Sequence, residues 1–125
     1  MSEEGKPAAA PVPVPAPVLA SIDDFKKITL RIGVVVEAAD HPNADKLLVL
    51  KVDIGEASPR QLVAGIKGSY AAADLVGKRV VVVANLKSAV LRGVESQGMV
   101  LAASDNAAIV LVSPERPIGA GSTVK

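Results

Sequence analysis

Cysteine and tryptophan are absent from the 125-residue sequence, Phe25 and Tyr70 are its only aromatic residues, and His41 is its only histidine. Without cysteine there are no disulfides and no thiolate chemistry. A single histidine excludes a His-rich zinc or copper centre, and neither metal nor cofactor is expected. Half of the residues are hydrophobic, so a core is affordable, but it must be built from Val, Leu, Ile and Ala. No apolar run approaches the roughly 18 to 20 residues needed to span a bilayer. The opening MSEEGKPAAAPVP is acidic and broken by proline where a secretory leader is basic and then continuously apolar. These absences point to a soluble, cytoplasmic protein with no membrane partner. The 14 Lys+Arg stand against 13 Asp+Glu, for a net charge of +1. That balance excludes a histone-like polycation, although it leaves room for a local basic face.

At this length one folded domain is the natural expectation. Five of the nine prolines, Pro7, Pro11, Pro13, Pro15 and Pro17, are spaced by Ala and Val. Such spacing denies both helix and ladder hydrogen bonds, so residues 1–20 read as an extended or disordered linker ahead of a domain at 21–125. The alternative is a Pro-rich recognition ligand, but a tether is the plainer reading. A tether implies something tethered, which makes the sequence a candidate module of a longer protein.

Ser21 to Asp24 has the form of a capping box with Asp in the acid position, opening a short helical turn through Lys27. Beyond it the text is mostly strand. Residues 30–37 are rich in β-branched side chains, with Gly33 predicting a bend or bulge. Leu48, Leu50, Val52 and Ile54 alternate with more polar neighbours as in a half-buried strand, and residues 61–66 form a third. Residues 69–76 read as a short helix ended by Gly77. Residues 80–84, VVVVA, have no polar face, so both sides need cover from a second molecule, the helix or the C-terminal tail. Strands at 98–103 and 108–112 follow, then a Gly-containing tail. This order predicts an all-β, five-stranded Greek-key barrel of the oligonucleotide/oligosaccharide-binding (OB) type. It carries a short helix between the third and fourth strands and a C-terminal extension. A β-sandwich is the competing architecture, but it would want more strands.

Enzyme signatures are missing: there is no Walker loop, no G-x-G-x-x-G after a strand and no paired histidines. The four serines at 69, 88, 96 and 104 have only His41 to serve as a base, and no catalytic residue is expected. Two polar segments remain. In HPNADK (residues 41–46), Pro42 presets a turn and Asn43 and Asp45 can bond nearby amides. That chemistry suits a structural loop, with Lys46 the one side chain of obvious use to a phosphate. Around Asn85 to Ser88 and Arg92 to Met99, polar side chains beside glycines fit either a solvated connection or a loop approached closely by a ligand.

Taken in order, Leu30-Arg31-Ile32-Gly33, HPNADKL at 41–47, Asp53-Ile54-Gly55, Gly65-Ile66, VVVVANLK at 80–87 and GVESQGM at 93–99 resemble a family of tRNA-binding OB domains. The resemblance covers about residues 22–125. Members include the C-terminal tRNA-binding and dimerisation extension of many bacterial methionyl-tRNA synthetases, stand-alone tRNA-binding proteins and small chaperone-like dimers. The Pro/Ala arm favours the synthetase extension, the arm then being the linker to a catalytic body. The resemblance thus implies tRNA as partner, a homodimer, and a non-catalytic module. A stand-alone tRNA-binding protein and a chaperone-like peptide-binding dimer are the alternatives. Thr29 and Ala64 depart from the family pattern, which commonly has Asp and Ser there.

Two aromatic residues cannot supply the stacking platform on which single-strand binders rely. Charge, polar side chains and shape remain, and they suit a structured RNA. The candidate contact set is Arg31, Lys46, Lys87 and Arg92 for phosphates, with Asn43, Asn85 and Ser96 for sugars or base edges. Met99 either fills the barrel, the favoured reading, or lies beneath a base. Phe25 is expected in the core.

Overall fold

The computed structural model describes residues 18–125. Most of the expected linker lies outside the described residues, and residues 18–20 carry no regular element. The capping box is formed as the sequence predicts. The Asp24 N–H donates to Ser21 Oγ at 3.0 Å, and the Ser21 N–H donates back to Asp24 Oδ2 at 3.1 Å. Such a cap is worth about 1 kcal/mol, and it opens helix α1, Ile22–Lys26.

Strand β1, Leu30–Asp40, is the longest element and serves two neighbours. Its first half pairs antiparallel with β4, Arg79–Val83, and its second half with β2, Leu48–Asp53. The register shift that lets it bend lies between Val35 and Glu37, not at Gly33. Gly33 has a different task. A Cβ there would collide with Val52 Cγ1 and lie 3.1 Å from Ile54 Cγ2 and 3.2 Å from Val82 Cγ2. Glycine is required because the barrel interior closes on it. In β2 the predicted alternation holds: Leu48, Leu50 and Val52 are fully buried while the residues between are half-buried. Each such aliphatic contributes roughly 1.5–3 kcal/mol.

Strand β3, Arg60–Ala64, pairs with β2. The segment expected as a helix holds only one 3-10 turn, Ala72–Asp74, with no side-chain cap. Its flanks are held by tertiary bonds instead. Ser69 Oγ accepts from the Ile109 N–H at 3.3 Å, and Tyr70 Oη accepts from the Leu111 N–H at 3.0 Å. A hairpin not predicted as such follows β4, made of β5, Ala89–Leu91, and β6, Val94–Ser96. The expected strand at 98–103 is split into β7, Met99–Val100, and β8, Ala102–Ser104. The latter pairs with β9, Ile109–Leu111.

β7 lies beside β4, so the path around the barrel runs β1-β2-β3-β7-β4, the OB order. The tail forms β10, Thr123–Val124, on β1 at Leu30 and Arg31. The core cluster is aliphatic, with Tyr70 only at its edge. Phe25, expected inside, is 43% exposed on α1, which buries none of its residues. The outer face of β4 is covered within one chain. Val81 and Val83 are each 5% exposed, and Val81 exchanges main-chain bonds with Leu101 and Val112. That face needs no second molecule. Among the described residues no helix is long and apolar enough to cross a membrane.

Candidate nucleic-acid interface

The loop at 41–46 and the β5–β6 hairpin form one unit, and His41 joins them. Its Nδ1 accepts from the Asn43 N–H at 2.9 Å. The proton therefore sits on Nε2, which donates to the Leu91 carbonyl at 2.9 Å. The ring is buried, with both nitrogens satisfied, as the structural reading of the loop expects. Asn43 Nδ2 adds a long bond of 3.5 Å to the Arg92 carbonyl. The hairpin turn is Arg92-Gly93, with φ of 53° and 91°. Positive φ at both central residues is what a type I′ turn demands, and Asn or Gly ordinarily supplies it. Arg92 is the only described non-glycine residue in that region of backbone space.

A second set of bonds ties the hairpin's exit to β3. Ser96 Oγ, buried, accepts from the Val63 N–H at 3.0 Å and donates to the Gly98 carbonyl at 2.9 Å. Gln97 and Gln61 bond reciprocally, since the Gln61 N–H donates to Gln97 Oε1 at 3.0 Å and the Gln97 N–H to the Gln61 carbonyl at 2.8 Å. Gln61 Nε2 also reaches the Glu95 carbonyl at 2.8 Å. Arg60 Nη1 donates to the carbonyls of Ala84 and Gln97, while its Nε and Nη2 grip Glu56 at 2.9 and 2.8 Å. Those bonds from Arg60 hold the Glu56 carboxyl below its ordinary range, and Glu56 raises Arg60 in return. Gln61, Gln97 and Arg60 were not singled out from sequence. Gln97, set between Ser96 and Gly98 in a recognised motif, was the available signal.

The candidate contacts thus divide. Asn85 is spent on the fold: its Oδ1 accepts from the Thr29 N–H at 2.8 Å and its Nδ2 donates to the Lys27 carbonyl at 2.6 Å. Arg31 Nη1 donates to the Gly121 carbonyl at 3.1 Å and fastens the tail. Ser96 and Asn43 serve the stitches just described. Lys46, Lys87 and Arg92 are exposed and make no ion pair among the described residues. Neither Asp45 nor Glu95 pairs with them. Lys87 enters the hairpin, Arg92 forms its tip, and the His41 and Asn43 bonds set the Lys46 loop against that tip. Met99 does not fill the barrel. It is 46% exposed and lines a cleft of about 420 Å³ together with Lys87 and Leu91.

The family model described as "Putative tRNA binding domain" matches residues 30–123. The methionine–tRNA ligase of Thermococcus kodakarensis is 49% identical over 105 residues, which are 84% of this chain and 14% of the ligase. That of Methanococcus aeolicus is 54% identical over 106 residues, 85% of this chain and 16% of the ligase. The chain therefore spans only a small part of the curated relatives it matches. Among solved structures, the MetRS related protein from Pyrococcus horikoshii superposes with a TM-score of 0.80 at 32% identity, covering 86% of this chain and 99% of that one. The chaperone CsaA from Bacillus anthracis gives 0.79 at 30% identity, covering 86% and 100%.

Proposed function

The chain belongs to the tRNA-binding domain family, and from that premise we propose that it is a non-catalytic tRNA-binding and dimerisation module of the cytoplasm. In this reading residues 21–125 are the module, and residues 1–20 are its linker to the catalytic body of a methionine–tRNA ligase. The observation that carries the RNA-binding reading is Arg92. A left-handed backbone costs a non-glycine residue about 1–2 kcal/mol, yet an exposed arginine with no ion-pair partner among the described residues stands at the hairpin tip. Strain of this kind is retained where a side chain must be displayed. A cation displayed beside Lys46 and Lys87 suits a phosphate backbone.

Lys87→Ala and Arg92→Ala are each expected to weaken binding of bulk tRNA. Each should flatten its salt dependence by about one phosphate, roughly 0.7–0.9 in the log–log slope. Melting temperatures should hold. Unchanged affinity in both variants would leave dimerisation as the module's only role. The homodimer rests on α1 and the turn after it, where Ile22, Phe25 and Ile28 are exposed at every third position, apolar side chains that a symmetric contact would cover. A light-scattering mass equal to one chain at tens of micromolar would overturn it.

A further inference from the structure

The OB barrel has one imperfect seam. β3 and β7 do not pair as a ladder; Ser96, Gln61, Gln97 and Arg60 stitch them instead. The stitches stop at Val63. Past that point the seam opens into the cleft of about 420 Å³, with Val63, Ala64 and Ile66 on one side, Met99 and Val100 on the other, and the hairpin above. Three properties of the opening point the same way. Its walls are aliphatic, with the half-exposed Met99 thioether among them. Gly65, exposed at its rim, spends neither its main-chain N–H nor its C=O on a partner among the described residues. Among the described residues Lys87 is the only ionisable one lining it, so their side chains give the cleft one cation and no anion.

We infer that this open seam takes one unstacked nucleotide of the bound RNA. The base slides between Met99 and the β3 wall, with its edge at the free Gly65 main-chain groups and its phosphate at Lys87. The inference rests on the tRNA-binding reading and adds to it a subsite that senses a base rather than a backbone. Apolar walls with a donor, an acceptor and a lone cation match the parts of a nucleotide one by one. An apolar peptide would use the walls and leave the ammonium without a counter-charge. In a chain with so few aromatic rings, aliphatic side chains and a thioether provide the surface against the base.

Two variants change the cleft and leave every cation in place. Ala102→Leu fills it, and Met99→Ala strips one wall. Each is expected to lower tRNA affinity by about tenfold, the scale of losing one well-held base, with the salt slope unchanged. Lys87→Ala should change the slope. Melting curves keep folding separate from binding. In methyl NMR, nucleoside 5′-monophosphates should shift Met99, Val63 and Ile109, and ribose 5-phosphate should not. Full tRNA affinity in both cleft variants, with Lys87→Ala still weakened, would overturn the subsite while sparing the RNA-binding reading. Loss of every tRNA response would overturn that reading itself. Methyl shifts with an apolar peptide but with no nucleotide would make the seam a peptide groove and reject the inference.

Discussion

Arg31, Arg60 and Arg79 can be set against Lys46, Lys87 and Arg92. The first three donate to main-chain carbonyls far away in sequence: Gly121 for Arg31, Ala84 and Gln97 for Arg60, and Ile118 for Arg79, at 2.8 Å in the last case. They hold the tail and the seam to the barrel. The second three pair with no acidic group among the described residues and belong to the hairpin and to the loop that His41 and Asn43 bond to it. Net charge hides this division. A guanidinium can satisfy several acceptors at once and is suited to clamping, whereas a free cation on a loop adds little to stability.

The comparison breaks most visibly at Arg60. Arg60→Ala leaves two carbonyls at the seam without a donor and should cost about 1–3 kcal/mol. A thermal melt should register this as a fall of several degrees, while Lys46→Ala should stay within about 0.5 kcal/mol of the parent. A melt of Arg60→Ala that matches the parent would erase the distinction. Next in size is His41→Ala, which removes the bond to the Leu91 carbonyl that joins the loop to the hairpin and the bond from the Asn43 N–H that shapes the loop, for about 1–2 kcal/mol. Amide exchange should quicken in residues 89–96 before it does in β2. Uniform quickening would mean that His41 supports the whole barrel.

Arg92→Gly sharpens the contrast, because the two readouts should part. Glycine relieves the left-handed backbone but adds freedom to the unfolded chain, so stability should rise by no more than about 0.5 kcal/mol while tRNA affinity falls. A drop in melting temperature would show the arginine to be structural. The smallest effect belongs to Glu56. Its carboxyl is held below its ordinary value near 4.5 by the bonds from Arg60. The stabilisation is therefore complete above that value and is lost as pH falls through the lower, folded one. Being exposed, the pair should contribute at most about 0.5 kcal/mol. Parent and Glu56→Gln should differ slightly at neutral pH and converge in acid, once the carboxyl has taken up its proton below its ordinary value; a gap that widens in acid would reverse the assignment.

The sequence was informative where one residue type has one physical use. Alternation at Leu48, Leu50 and Val52 could only be a half-buried strand, and Ser21 with Asp24 could hardly be anything but a cap. It misled where a residue has two uses. Gly33 could relieve a bulge or admit a neighbouring side chain, and only the tertiary partners Val52 and Val82 decide. Asn85 and Ser96 looked available to RNA because the Thr29 N–H, the Lys27 carbonyl and the Val63 N–H that engage them lie 33 to 58 residues away. The hairpin escaped because three-residue strands carry no period, and Arg-Gly is not the Asn-Gly that announces an I′ turn. The cations Lys46, Lys87 and Arg92 were legible as surface charge. The joining of their two segments was not, since it depends on His41 reaching Leu91.

One feature of the tail reaches beyond binding. β10 runs alongside Leu30 and Arg31, and paired strands lie about 5 Å apart, so the polypeptide returns to where the barrel begins. A circular permutant is therefore feasible: a short Gly-Ser bridge from Lys125 to Ser21, with new termini at Gly68, where an added Cβ would meet nothing within 4 Å. Every ladder and every seam bond would survive the rewiring. The hairpin face, fixed by the barrel rather than by chain order, would be presented unchanged from a module anchored at the opposite end.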